Sequence, residues 1–587
     1  MLDTLPPELL DLVVGQIASR RDLKRLCEVC TRLRNCALPH LYRSIVLSAT
    51  EVSVEQLAKT VEAVPRRYME YTQEFCLSVP IHERVDTRCV HRDGNGQKFT
   101  KLMEEDNLFF KDTDEDGTDD EYTDTKIVED NRIDPFFNLI HALHSLDFRD
   151  DQLRSFRWEL GTCIPKALLS GSEDSPLRNQ KAIQSITLIT DGECGTGMSS
   201  QYSVDLVQFI GLRTLVWKGL NRYSDFESVK DCIRVRGHQI ISLTLDLVKW
   251  DRAEVVWTNG FRRQSTGSVP DNFFARQVLN AQPGDETIRF RNLKHLHLSA
   301  VSFCCAGAEM LCSFNFRNLY TLKLRNCPGS LEWLQLVLSS EELLRLRSFE
   351  LALDLNCLQR DDYMRITETI CKFIQQAPKL EELYLMLPEP FDWAALTSTI
   401  SSSWFDLTCF VMHHLVDRGG QDLVDGGIPL PSHLEQVLQG RQLACYGCST
   451  PPGELASQLR KMQPRPSYKL LHIRASGVVL EKLSSHEQPS WSSAQLYNYR
   501  YGDDPPYGPD DIFEFAKWAF SDDGLPNLAV LAWGDFSYEG RYSRFSALLG
   551  RSRDGYRPLT SADVSFWDIV QNNMDMLASC PLDDIMG

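Results

Sequence analysis

The sequence predicts an α/β chain: a short head of helices, then a long solenoid of strand–helix units with a parallel sheet on its concave face. Three observations predict it. An apolar residue, two others, an apolar residue, one other and an apolar residue recur as a template along most of the chain. Segments with helical apolar stripes lie between successive copies. Residues 1–43 carry helical periodicity alone, ahead of the first strand-like run.

In the head, Pro6 and Pro7 open a helix on which Leu9, Leu10, Val13 and Ile17 share a face. Asp22 is placed to cap a second helix, whose stripe runs through Leu23, Leu26, Cys27, Cys30 and Leu33. Ala37, Leu38, Leu41 and Tyr42 read as further helix, and Ser44 to Ser48 as a strand. So small a module buries little by itself, so its apolar faces call for a partner.

Leu5-Pro6-x-Glu8-Leu9-Leu10, Arg21-Asp22-Leu23 and Val29-Cys30-x-Arg32-Leu33-Arg34, followed by Leu41-Tyr42-Arg43, resemble the F-box. Leu33 stands where that family often has a tryptophan. The resemblance implies a substrate receptor of the fungal F-box type, docked on a Skp-type adaptor and through it on a cullin-RING ubiquitin ligase. Leu5, Pro6, Leu9, Leu10, Val13, Leu26, Val29, Cys30 and Leu33 would face the adaptor.

The repeats come next. Their middle apolar positions are Phe156, Ile186, Leu215, Leu243, Leu296, Leu322, Phe349, Leu383, Phe410 and Leu471, with weaker copies centred on Ile45, Phe75, Leu443 and Leu531. Most are about 26 to 30 residues apart, and the longer gaps after Leu243 and Leu471 read as two repeats each. Helix-like segments span Phe226 to Val235, Ala306 to Phe314, Leu331 to Leu338, Tyr363 to Gln376, Trp393 to Ile400, His433 to Leu438 and Leu455 to Met462. One strand and one helix per unit resembles a degenerate leucine-rich-repeat solenoid. Only Leu319-x-x-Leu322-x-Leu324-x-x-Cys327 completes that family's turn.

The expected organisation is an adaptor-docking domain at 1–48, a solenoid at 49–550 and a C-terminal capping segment at 551–587. Residues 104–130 hold a run of acids against Lys111 and Lys126 alone, which reads as a solvated insertion. Residues 252–286, rich in Gly and Pro, read as a protruding loop.

With 62 Lys and Arg against 81 Asp and Glu, the net charge is -19, which disfavours nucleic acid and anionic membrane as partners. No apolar run reaches the roughly 18 residues of a spanning helix and the start lacks a signal-peptide pattern, so a cytoplasmic or nuclear protein is expected. The 18 cysteines are scattered, as buried thiols are in a reducing compartment.

Chemical motifs are few. Asp112, Asp114, Asp116 and Gly117 open like a calcium loop, but Thr123 stands at its closing position. Cys27 and Cys30, like Cys445 and Cys448, have zinc-pair spacing without a second pair nearby. Gly192, Gly195 and Gly197 read as turn glycines and His91-Arg92-Asp93 as coincidence. No catalytic residue, metal or cofactor is expected. Strand alternation puts His295, His297, Lys323, Arg325, Tyr384, His413, His472 and Arg474 on the concave face, either as a basic and aromatic substrate-binding row or as ordinary solvated strand positions. The implied function is recruitment of an unidentified protein substrate; the alternative is a repeat scaffold acting outside any ligase.

Overall fold

The computed structural model describes residues 5–79, 136–247, 274–475, 509–540 and 546–582, with short interruptions. The calcium-like loop, the acidic stretch 104–130, His91 to Asp93, the glycines at 192, 195 and 197, and most of 252–286 lie outside the described residues. The chain divides into two compact units, one formed by 1–247 with 261–280 and the other by 248–260 with 281–585. The helical head, bounded at residue 48 in the sequence reading, falls within the first unit.

That head has three helices, α1 (Pro7–Val14), α2 (Arg20–Val29) and α3 (Thr31–Tyr42). Pro7 suits the first turn of α1, where its missing N–H is no loss. Ser19, rather than Asp22, caps α2: its hydroxyl accepts from the Asp22 amide at 3.2 Å, and Asp22 sits in the first turn, where its charge favours the helix N-terminus. The long second helix of the sequence reading breaks at Cys30, whose extended backbone ends α2 and whose Sγ accepts from the Leu33 amide at 3.5 Å to start α3. Leu10, Val14, Leu23, Cys27, Leu33 and Ala37 form the core of the module. His40 of α3 meets Asp11 of α1 at 2.9 Å.

Six strands form the sheet of the first unit: β1 (Ser44–Ser48), β2 (Glu74–Ser78), β3 (Ser155–Glu159), β4 (Ser185–Ile189), β5 (Thr214–Lys218) and β6 (Ser242–Asp246). They pair in chain order and all in parallel. The register joins Ile45, Phe75, Phe156, Ile186, Leu215 and Leu243, the template's middle positions, in one row. Crossovers include α4 (Val54–Glu62), α5 (Phe137–His144), α6 (Lys166–Leu169) and α7 (Tyr223–Arg236). A buried π turn, Phe274–Val278, packs on α7.

In the second unit β7 (His295–Ser299), β8 (Thr321–Arg325), β9 (Ser348–Ala352), β10 (Glu382–Pro388) and β11 (Cys409–Asp417) are parallel neighbours. β12 (Leu423–Asp425) runs antiparallel to β11, and the parallel series continues through β13 (Cys445–Cys448), β14 (Leu470–Ile473) and β15 (Val530–Trp533). The hairpin β16 (Ala547–Ser552) and β17 (Gly555–Pro558) closes this edge with antiparallel pairing. Between the strands lie α8 (Gly307–Ser313), α9 (Ser330–Leu338), α10 (Asp362–Gln375), α11 (Trp393–Ser402), α12 (Leu434–Gln439), α13 (Pro452–Lys461) and α14 (Pro509–Ala519). Each helix foreseen between strands is present within one to three residues at its ends.

Leu296, Leu322, Phe349, Leu383, Phe410, Leu471 and Leu531 again share one row, but the β13 residue in it is Tyr446, not Leu443. The true copy is Leu443-x-x-Tyr446-x-Cys448, displaced by three because tyrosine and cysteine replace the usual leucines. β14 pairs directly with β15, so the gap from Leu471 to Leu531 is one long crossover and not two repeats.

In the segment expected to cap the solenoid, the described residues run to 582. Its first part completes the β16–β17 hairpin; α15 (Val564–Asn572) then packs on β15, and α16 (Met574–Leu577) packs on β11 and β13. Among the described residues, no helix is long and apolar enough to cross a membrane.

Candidate functional site

Two surfaces concentrate the residues singled out by sequence. On the head, α1 is apolar on both sides. Leu10 and Val14 point into the module, whereas Leu9, Leu12 and Val13 are 49%, 65% and 44% exposed. Val29, at the end of α2, is 68% exposed. Of the nine residues expected to face an adaptor, Leu10 and Leu33 are buried core, and Leu5, Leu26 and Cys30 are half-buried against that core. Their exposure was overestimated because a stripe at spacings of three and four marks an apolar face without saying what it faces. Pro6, Leu9, Val13 and Val29 are exposed. Leu12 was missed, though its spacing of three from Leu9 places both on one side of the helix.

The second surface is the face of the second sheet turned away from its helices. Register brings His297, Lys323, Glu350, Tyr384, Val411, Gly447, His472 and Ala532 into one row across eight strands. Arg325, Ala352, Met386 and His413 form the next row. These rows do not line an open groove. His295 is exposed and His297 half-buried, but Lys323, Arg325, Tyr384, His413, His472 and Arg474 are all buried. The physical cause is the chain's own C-terminal segment, whose Val570, Met576, Leu577 and Cys580 complete an apolar cluster with Tyr384, Val411, Cys445, Leu470 and Val530.

Charges border that cluster. Arg325 donates to Glu350 twice, from Nε at 2.7 Å and Nη2 at 3.1 Å. Lys323 donates to Asp575 at 3.0 Å. The Cys580 amide donates to Glu350 at 2.7 Å, Arg325 Nη2 reaches the Ala578 carbonyl at 3.5 Å, and Arg474 donates to the Cys580 carbonyl. Burial alone would raise the Glu350 carboxyl. The charges of Arg325 and Lys323, with the Arg325 and Cys580 N–H groups, hold it below its ordinary value. The Lys323 ammonium lowers Asp575 likewise, against a smaller opposing effect of burial.

His413 and His472 meet edge to face, with ring centroids 6.2 Å apart. His472 Nε2 donates to the Gly534 carbonyl at 2.9 Å, while neither ring nitrogen of His413 has a hydrogen-bond partner among the described residues. Burial first, then the Arg474 charge, keeps His413 well below its ordinary value. Burial also takes His472 down to about 4, with Arg474 adding to it and the Gly534 carbonyl and Asp535 opposing it.

Neither cysteine pair gathers a group of three His, Cys, Asp or Glu side chains among the described residues. Cys445 belongs to the cluster under the C-terminal segment, and Cys448, three residues along β13, points to the opposite face. Cys27 is core of the head and Cys30 caps α3. The contribution of Asp575 and Cys580 to the second surface was not foreseen.

No protein-family model matches the chain, and no curated protein matches it.

Proposed function

We propose that the chain is the substrate-recognition subunit of a Skp-cullin-F-box type ubiquitin ligase, non-catalytic itself and acting in the cytoplasm or nucleus. The head docks the Skp-type adaptor, and the strand–helix units hold a protein substrate within reach of a charged ubiquitin thioester. The contribution to rate is proximity, which converts an encounter between substrate and thioester into an event within one assembly.

The observation that carries this reading is α1, a helix of 8 residues that fills the core of its own module with Leu10 and Val14 yet leaves Leu9, Leu12 and Val13 in solvent. Clustered exposed apolar side chains on a short helix mark a protein contact. The F-box resemblance of residues 5–43 names the kind of protein that makes it.

The test uses the full chain carrying Leu9→Asp with Leu12→Asp, both at exposed positions. The expected result is loss of co-purifying adaptor and cullin, with the thermal midpoint of the free chain unchanged. Retention of adaptor at the parent level by this folded variant would overturn the reading.

A further inference from the structure

The C-terminal segment is held on the second sheet by three kinds of contact. Asp575 gives Lys323 a carboxylate at 3.0 Å. Met576 and Leu577, from the single turn of α16, enter the apolar cluster. The third kind addresses main chain: Arg325 and Arg474 donate to the carbonyls of Ala578 and Cys580, and Glu350 accepts the Cys580 amide. Cys580 itself has φ of 53°, a left-handed conformation that a non-glycine residue keeps only where its surroundings impose it. Covering an apolar sheet requires none of this. Buried Arg325, Glu350 and Arg474 instead read the shape of a backbone turn, which many sequences offer. Selection by side chain falls on one acid, two large apolar residues and the small buried Cys580.

We propose that this face is a peptide-binding site that residues 574–580 occupy as a resident ligand. The partner that fits it is a protein segment with an acidic residue followed by two large apolar residues in one helical turn, and a left-handed residue three positions further on. The tethered segment is present at an effective concentration on the order of millimolar. A partner therefore gains the site only by outcompeting it or after its release. The proposal stands on the second unit alone and holds whether or not the head docks an adaptor.

The test uses the full chain with a protease site inserted between Ser561 and Ala562, cut after folding, and a fluorescent peptide of residues 563–582 as probe. The expected result is saturable exchange of the probe into the cut protein and none into the uncut chain. A probe carrying Asp575→Lys, which sets an ammonium against Lys323, should bind about tenfold more weakly. An intact chain carrying Asp575→Lys serves as a second arm that needs no cut: its weakened resident segment should now admit the parent probe. The proposal is overturned if the cut fragment stays bound and never exchanges, if the Asp575→Lys and parent probes bind equally, or if the intact variant excludes the parent probe. It is also overturned if the variant forms dimers that exclude the probe, which would make the occupant a second copy of the chain.

Discussion

Truncating Glu350 to alanine tests the charged border of the second sheet most directly. The carboxylate is fully buried and accepts from Arg325 Nε at 2.7 Å, Arg325 Nη2 at 3.1 Å and the Cys580 amide at 2.7 Å. Removing it leaves a buried guanidinium without its counter-charge and a buried amide without an acceptor. Breaking a buried ion pair from one side costs about 3–5 kcal/mol, so about 4 kcal/mol is the expected loss for Glu350→Ala. Replacing Arg325 by Met and Glu350 by Leu together removes both charges and should recover at least about 2 kcal/mol of that loss, because an apolar pair of similar volume needs no compensation. Hydrogen exchange followed by mass spectrometry provides the assay, with peptides covering 564–582 compared against those covering β8 and β9. In Glu350→Ala the C-terminal peptides should lose protection first and furthest. A change in opening free energy below about 1 kcal/mol, or a double variant as weakened as the single one, would refute the assignment of this pair.

Acidification should weaken the second unit. His472 is neutral in the fold because its value is taken from 6.5 down to about 4, so the unfolded chain binds the proton first. Its stabilisation is complete above pH 6.5 and falls by about 2 kcal/mol between pH 6.5 and pH 5, with His413 acting in the same direction; Glu350 and Asp575, held low, remain ionised over that window. Urea midpoints that do not change between pH 7 and pH 5 would contradict this, and His472→Gln should flatten the dependence. In the first unit, Gly219→Ala should be strongly destabilising by thermal melting: φ there is 82°, and an added Cβ would lie 1.8 Å from the Thr190 carbonyl oxygen. In the head, Leu10→Ala should cost about 2–5 kcal/mol and Leu9→Ala less than about 0.5 kcal/mol, measured by exchange of the α1 amides, because the first opens the core and the second does not.

The repeat spacing was legible because its signal is local: a leucine-like residue at the centre of each strand announces itself without knowledge of the rest. Where Tyr446 and Cys448 stand in for leucines, the same reading slid by three residues to Leu443. The helices of the head were legible for the same reason, but not their orientation, since α1 presents apolar residues on both sides and only packing decides that Leu10 goes inward and Leu9 outward. The covered face was illegible in principle. Lys323 and Asp575 are 252 residues apart. No periodicity links a strand to a segment that returns to it so late, and a row rich in His, Lys and Arg resembles a solvated face until its counter-charges are placed.

The junction after α3 has a mechanical consequence. Tyr42 ends the helix and Ser44 begins β1, while the Arg43 carbonyl accepts the amides of Gln73 at 2.8 Å and Glu74 at 3.0 Å. Tyr42 also stacks on Tyr68, with ring centroids 4.3 Å apart. The head and the first sheet are thus joined through Arg43 alone, which is itself tied into the start of β2. Each strand adds a step of about 4.8 Å, so β6 stands roughly 24 Å from β1. Within this unit, the distance from α1 to any point further along the sheet is counted in whole strand–helix units. It changes by gaining or losing a unit, as on a ruler, and not by stretching a tether.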